Sequence, residues 1–192
     1  YNYMATGLGL TGLTAWFVAG NETLVKTIFG TPLYWVVALA PLGFVFYLSA
    51  RLHRISFSKA QTLFWLFAGI MGLSMASIFL KYTPVSIAKV FFITSGTFAG
   101  MSLYGYTTKK DLTGWGSFLF MGLIGIIIAM IVNIFLQSSM LGFIISCVGV
   151  LVFVGLTAYD TQRIKEMYYA SDHPEISGKK AIMGALKLYL DF

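Results

Sequence analysis

Residues 115 to 136 read WGSFLFMGLIGIIIAMIVNIFL, a run without one charged side chain. A bilayer core of about 30 Å is crossed by roughly 20 helical residues, so this run is long enough to span it. It is one of six, because apolar stretches recur at about 4–20, 33–50, 62–80, 85–106, 115–136 and 140–163. None fits a strand, since lipid admits only helices or a closed barrel, and barrel strands are about ten residues long and alternate in polarity. A weaker piece, GKKAIMGALKLYLDF, reaches Phe192. Its apolar part, 180–192, has about half the length of a span and reads as re-entrant or as an incomplete seventh helix. With 58% hydrophobic and 10% charged residues, too little polar surface remains to coat a water-soluble globule. The expected fold is therefore an all-α polytopic membrane protein, with one transmembrane domain over 1–192. Because Tyr1 rather than Met comes first, no targeting signal is assigned at the N-terminus.

Basic residues alternate along the chain. Arg51, Arg54 and Lys59, then Lys109 and Lys110, then Arg163, Lys165, Lys179 and Lys180 follow the second, fourth and sixth runs. The turns of the other set hold only Lys26, Lys81 and Lys89. The positive-inside rule puts the richer set, and with it the N-terminus, on the cytoplasmic side. A net charge of +6 then reads as orientation signal and contact with anionic lipid, and no basic patch interleaved with aromatics speaks for nucleic acid.

Several patterns carry structure rather than chemistry. Gly7, Gly9 and Gly12 spell G-x-G-x-x-G but lie inside an apolar helix, without the strand a dinucleotide site needs. Gly96 and Gly100, four apart, are expected to bring helices close together. Trp35, Tyr82 and Trp115 stand near run ends, where aromatic rings anchor at the membrane interface. Cys147 sits mid-run with no intrachain partner and reads as a small core residue. His53 and His173 have no ligand-spaced partner, and Asp172 and Glu175 lack the alternating oxygens of a calcium loop; all four read as loop residues. No cofactor is called for. No serine or cysteine nucleophile with an orienting histidine is visible either.

The acids are few: Glu22, Asp111, Asp160, Glu166, Asp172, Glu175 and Asp191. Only Asp160 and Asp191 lie in or against apolar helix. Surface pairing with Arg163 and Lys187 is one account of them, but such a pair contributes only about 0.2–0.5 kcal/mol. A carboxylate at membrane depth costs roughly 2.5–3.5 kcal/mol. Two acids at like depth on packed helices would lower that cost by sharing a proton.

The stretches SLYGYTTKKDL, AYDTQRIK and ALKLYLDF, at their spacing along the chain, resemble the Bax-inhibitor (transmembrane Bax-inhibitor-motif) family, and its bacterial members in particular. The resemblance covers nearly the whole chain. It implies a seven-helix bundle in which two three-helix layers surround a central C-terminal helix, here incomplete after LYLDF. It also implies a pH-sensitive calcium leak in the bacterial inner membrane, with calcium and protons as the species handled. Asp160 and Asp191 would be the paired acids that sense pH and offer calcium a weak, transient site. Arg54 would be the second-helix arginine that latches the pair, with Arg51 as the fallback. Two other readings compete. One is a non-conducting modulator of membrane partners such as a quality-control protease. The other is an intramembrane aspartyl protease, which the LYLDF context disfavours because such enzymes present their second acid after Gly-x-Gly; the chain is read as a non-enzyme.

Overall fold

The computed structural model describes residues 1–51, 54–168 and 172–192, and among these the chain is helical throughout, with no strand. Eight helices follow in order: α1 Asn2–Ala19, α2 Glu22–Phe29, α3 Leu33–Arg51, α4 Phe57–Lys81, α5 Pro84–Thr107, α6 Thr113–Leu136, α7 Ser139–Met167 and α8 Pro174–Asp191. Helices α3 to α7 are long and apolar enough to cross a membrane. Helix α1, expected as a span from the run at 4–20, is not among them, because Gly and Thr dilute its apolar residues. Phe46, Phe92 and Phe135 are 75%, 72% and 83% exposed. Water would not tolerate this many bare aromatics, whereas a lipid-facing surface requires them. Trp35, Tyr82 and Trp115 are exposed at helix ends, as interfacial anchors should be.

Helix α2 corrects the expected count of seven helices. Its sequence, NETLVKTIFG, reads as connection by composition, yet Asn21 caps it by accepting from the amides of Thr23 and Leu24 at 3.1 and 3.2 Å. Glu22 then pairs with Lys26 one turn on, at 3.5 Å.

The chain divides into two compact units, the first formed by 1–92 and 168–189 and the second by 93–167 and 190–192. In the first, α1 lies against α4 so closely that a Cβ on Gly72 would meet Thr14 at 2.6 Å and the Thr11 carbonyl oxygen at 2.7 Å. Phe64 and Phe67 on α4 are fully buried, and each ring packs in a T-shaped, edge-on arrangement with that of Tyr189 on α8, with centroids 6.2 and 5.2 Å apart. The Tyr189 hydroxyl lies 2.6 Å from Thr11 Oγ1, which is also 2.8 Å from the Ala68 carbonyl oxygen and 3.0 Å from that of Gly7. One buried polar cluster thus ties α1, α4 and α8. Removing the hydroxyl in Tyr189→Phe leaves the ring contacts and costs about 1 kcal/mol of stability, read as a small drop in the melting temperature of the detergent-purified protein; an unchanged melting point would deny the cluster that role. At the start of α8, Lys180 and Asp172 pair at 2.6 Å with both side chains largely covered, and Lys179 pairs with Glu175 at 3.3 Å. Asp172 and Glu175, read from sequence as solvated loop acids, are both ion-paired to α8: Asp172 from the residues just before the helix, and Glu175, which is helical rather than loop, from within its first turn.

In the second unit α6 and α7 form an antiparallel hairpin. Gln137 closes α6 in the left-handed region (φ 47°), its amide donating to the Asn133 carbonyl at 2.8 Å. The Asn133 side chain then accepts from the Ser138 amide at 3.1 Å, so α7 starts two residues after the cap. Contacts run in opposite sequence directions down the pair: Gly122 against Val152, Leu119 against Gly155, Gly116 against the Tyr159 ring. Gly96 and Gly100 do not mediate close packing, since nothing lies within 4 Å of a Cβ built on either. The close approach of α5 is made by Gly105, whose added Cβ would collide with the backbone carbonyl of Ala158 on α7.

Candidate functional site

The AYDTQRIK stretch, 158–165, forms the C-terminal part of α7, and SLYGYTTKKDL, 102–112, forms the end of α5 and the turn into α6. In the folded chain these two stretches are one structure. Residues 158, 161, 162 and 165 recur at helical spacing and share a face. Ala158 receives Gly105, and Thr161 donates to Ser102 Oγ at 3.4 Å. Gln162, only 8% exposed, accepts from the Leu112 amide through Oε1 and donates to the Lys110 carbonyl through Nε2, each at 2.8 Å. Lys165 donates to the Tyr106 carbonyl at 2.8 Å, with its ammonium 4.7 Å from the centre of the Tyr106 ring. Next along the helix surface, Tyr159 packs on Gly116 of α6.

Gln162 is the tightest of these ties. A buried amide without partners costs about 1–3 kcal/mol, and here both ends of the group are matched to backbone that has no helical partner in the turn. The turn itself is further ordered by Asp111, which accepts from the Thr113 amide at 2.8 Å. Hydrogen bonds from the Thr113 hydroxyl and amide hold the exposed Asp111 carboxyl below the usual carboxylate range, and Arg163 on α7 adds to the effect.

Asp160 lies on α7 and Asp191 is the last residue of α8; both are half-buried, and both belong to the second unit. The Asp191 Oδ2 atom is sealed from solvent. Phe192 beside it stacks edge-on with Phe98 of α5, centroids 5.6 Å apart. Arg51, the last residue of α3, and Arg54, in the connection to α4, are exposed and belong to the first unit. His53 lies outside the described residues, and His173 is exposed where the chain enters α8, its carbonyl accepting from the Ser177 amide. Among the described residues no cluster of three or more His, Cys, Asp or Glu side chains is assembled. Any cation held by Asp160 and Asp191 would therefore take most of its oxygens from backbone or water.

From sequence, Asp160 stands out in this stretch, Lys165 reads only as one of the basic residues that set orientation, and Gln162 carries no assigned role. The signal that identifies them is the i, i+3, i+4, i+7 recurrence of Ala158, Thr161, Gln162 and Lys165, a small and polar stripe on an otherwise apolar helix.

Comparison with known proteins matches the whole chain, residues 1–192, to the family described as inhibitor of apoptosis-promoting Bax1. A Rickettsia prowazekii protein, RP147, is 48% identical over all of this chain and 81% of its own length. The inner membrane protein YbhL of Escherichia coli is 45% identical over all of this chain and 83% of its own. A Deinococcus radiodurans protein is 39% identical over all of this chain and 82% of its own. The chain is a member of the Bax-inhibitor family of polytopic, all-helical membrane proteins.

Proposed function

We propose that this protein is a pH-sensitive calcium leak of the bacterial inner membrane, gated by Asp160 and Asp191. The observation that carries the reading is that Asp160 and Asp191 are both half-buried and fall in one compact unit, with the Oδ2 atom of Asp191 sealed from solvent. Two such carboxylates share a proton more readily than they carry two charges, because like charges in a low-dielectric setting repel strongly. Calcium favours about six to eight oxygen ligands, so two carboxylates with water or carbonyls hold it weakly. Weak holding suits conduction, which fails when an ion cannot leave. Protonation then acts on occupancy and gate together. The name of YbhL as an inner membrane protein and the excess of Lys and Arg in alternate turns support the location, with the N-terminus on the cytoplasmic side.

The test is calcium entry into dye-loaded proteoliposomes over a pH series. The expected result is a leak above that of empty vesicles whose rate changes with pH. Flux equal to that of empty vesicles at every pH would overturn the reading.

A further inference from the structure

The two motif stretches contain one partnership that the paired-acid reading does not use. Gln162 is a neutral amide buried near the end of a membrane helix, and both of its hydrogen bonds go to backbone of the α5–α6 turn, at Leu112 and Lys110. It is two residues from Asp160. At about 100° per residue, the face formed by residues 158, 161, 162 and 165 is nearly opposite Asp160 on the helix. The turn therefore bears on the carboxylate through the rotation and axial position of α7. Thr161 and Lys165 hold the same face to α5 at Ser102 and Tyr106, and the close approach of Gly105 to Ala158 fixes the separation of the two helices there.

We infer that Gln162 is a positioning residue for Asp160: its two-point clasp on the α5–α6 turn sets the rotational setting in which α7 presents that carboxylate. This rests on the proposed role of Asp160 in the leak for its functional meaning, while the placement itself can be measured without any flux. The chemistry of the clasp is specific. It requires one acceptor for the Leu112 amide and one donor for the Lys110 carbonyl on a single planar group. A protonated glutamic acid supplies both. An ionised glutamate supplies only acceptors and faces the Lys110 carbonyl with negative charge. Methionine fills the volume and supplies no donor.

The test uses full-length protein in which Cys147→Ser removes the native thiol and Asp160→Cys reports the setting of position 160 by its alkylation rate. Amide exchange over residues 108–112 is read in parallel. With Gln162→Met, the turn amides are expected to lose protection and the alkylation rate at position 160 to change several-fold. With Gln162→Glu, both readouts should return to those of the Gln162 parent at acidic pH and depart from them as pH rises, each compared at the same pH. The ionisable groups flanking position 162 on α5, the turn and α7 are Tyr106, Lys109, Lys110, Asp111, Tyr159, Asp160, Arg163, Lys165 and Glu166, with Asp160 replaced in the reporter. A turn that loosens while position 160 reacts as before would reduce Gln162 to a local tie and overturn the inference. Turn amides that stay protected in Gln162→Met would overturn it as well, because the clasp would then not hold the turn. Absence of calcium flux in otherwise wild-type vesicles would sink the leak while leaving both of these readouts decisive.

Discussion

Gly105→Ala is expected to leave little of the protein folded at temperatures where the unsubstituted chain survives. The new methyl group would land on the carbonyl oxygen and Cα of Ala158, and both are helix backbone, which cannot rotate aside as a side chain does. Helices α5 and α7 would have to part at the point where Thr161, Gln162 and Lys165 also make their contacts. Overpacking costs about 1–3 kcal/mol when side chains can adjust, and a backbone obstacle puts this case at or above the top of that range. For a chain of this size that is a fall in melting temperature of roughly 6–12 °C. Gly96→Ala, on the same helix, is the control. Nothing lies within 4 Å of its added Cβ, so only the gain in helix propensity remains, about 1 kcal/mol in favour of alanine. The two substitutions should move the melting temperature in opposite directions. Equal tolerance of both would mean that α5 and α7 do not approach at Gly105.

The second large effect is on function. Asparagine preserves the shape of aspartate and most of its hydrogen bonding but cannot ionise, so Asp160→Asn and Asp191→Asn each remove one titrating partner from the proposed pair. The pH dependence of the leak is expected to flatten in either variant. A group left alone neither shares a proton nor feels its partner's charge, so the proton-coupled step that drives the proposed gate is gone. Each substitution also lifts part of the roughly 2.5–3.5 kcal/mol cost of a charge at membrane depth, so neither variant should fold less well than the parent. Lost pH dependence together with retained melting temperature is the signature that separates a sensing role from a structural one.

Much of this arrangement was legible from residue chemistry. The apolar runs foretold α3 to α7 because lipid requires long uninterrupted helices, and their bounds differ from the helices mainly where polar residues extend a helix past the run, as at 164–167 on α7. Asp160 and Asp191 stood out because a carboxylate in or against apolar helix is costly. Gln162 did not, since a neutral amide carries no such cost in sequence and its partners are backbone groups fifty residues away in the chain. The glycines show the limit of spacing rules. Gly96 and Gly100 have the spacing of a packing motif, but which face of α5 meets a neighbour is decided by tertiary structure, and that face carries Gly105. Helix α2 was hidden for a different reason, because one eight-residue helix is too short to impose a period on its surroundings, although its Asn21 cap and Glu22–Lys26 pair are local signals.

The most direct test of the central claim is a double-mutant cycle on calcium flux, with Asp160→Asn, Asp191→Asn and the double variant measured beside the parent over one pH series in vesicles of the same lipid. If the two carboxylates are one sensor, the double variant behaves like the more affected single one, because the second substitution removes a partner whose coupling is already gone. If the effects of the two substitutions instead add independently across the pH range, the acids act apart, and the account of a shared, proton-coupled gate is wrong.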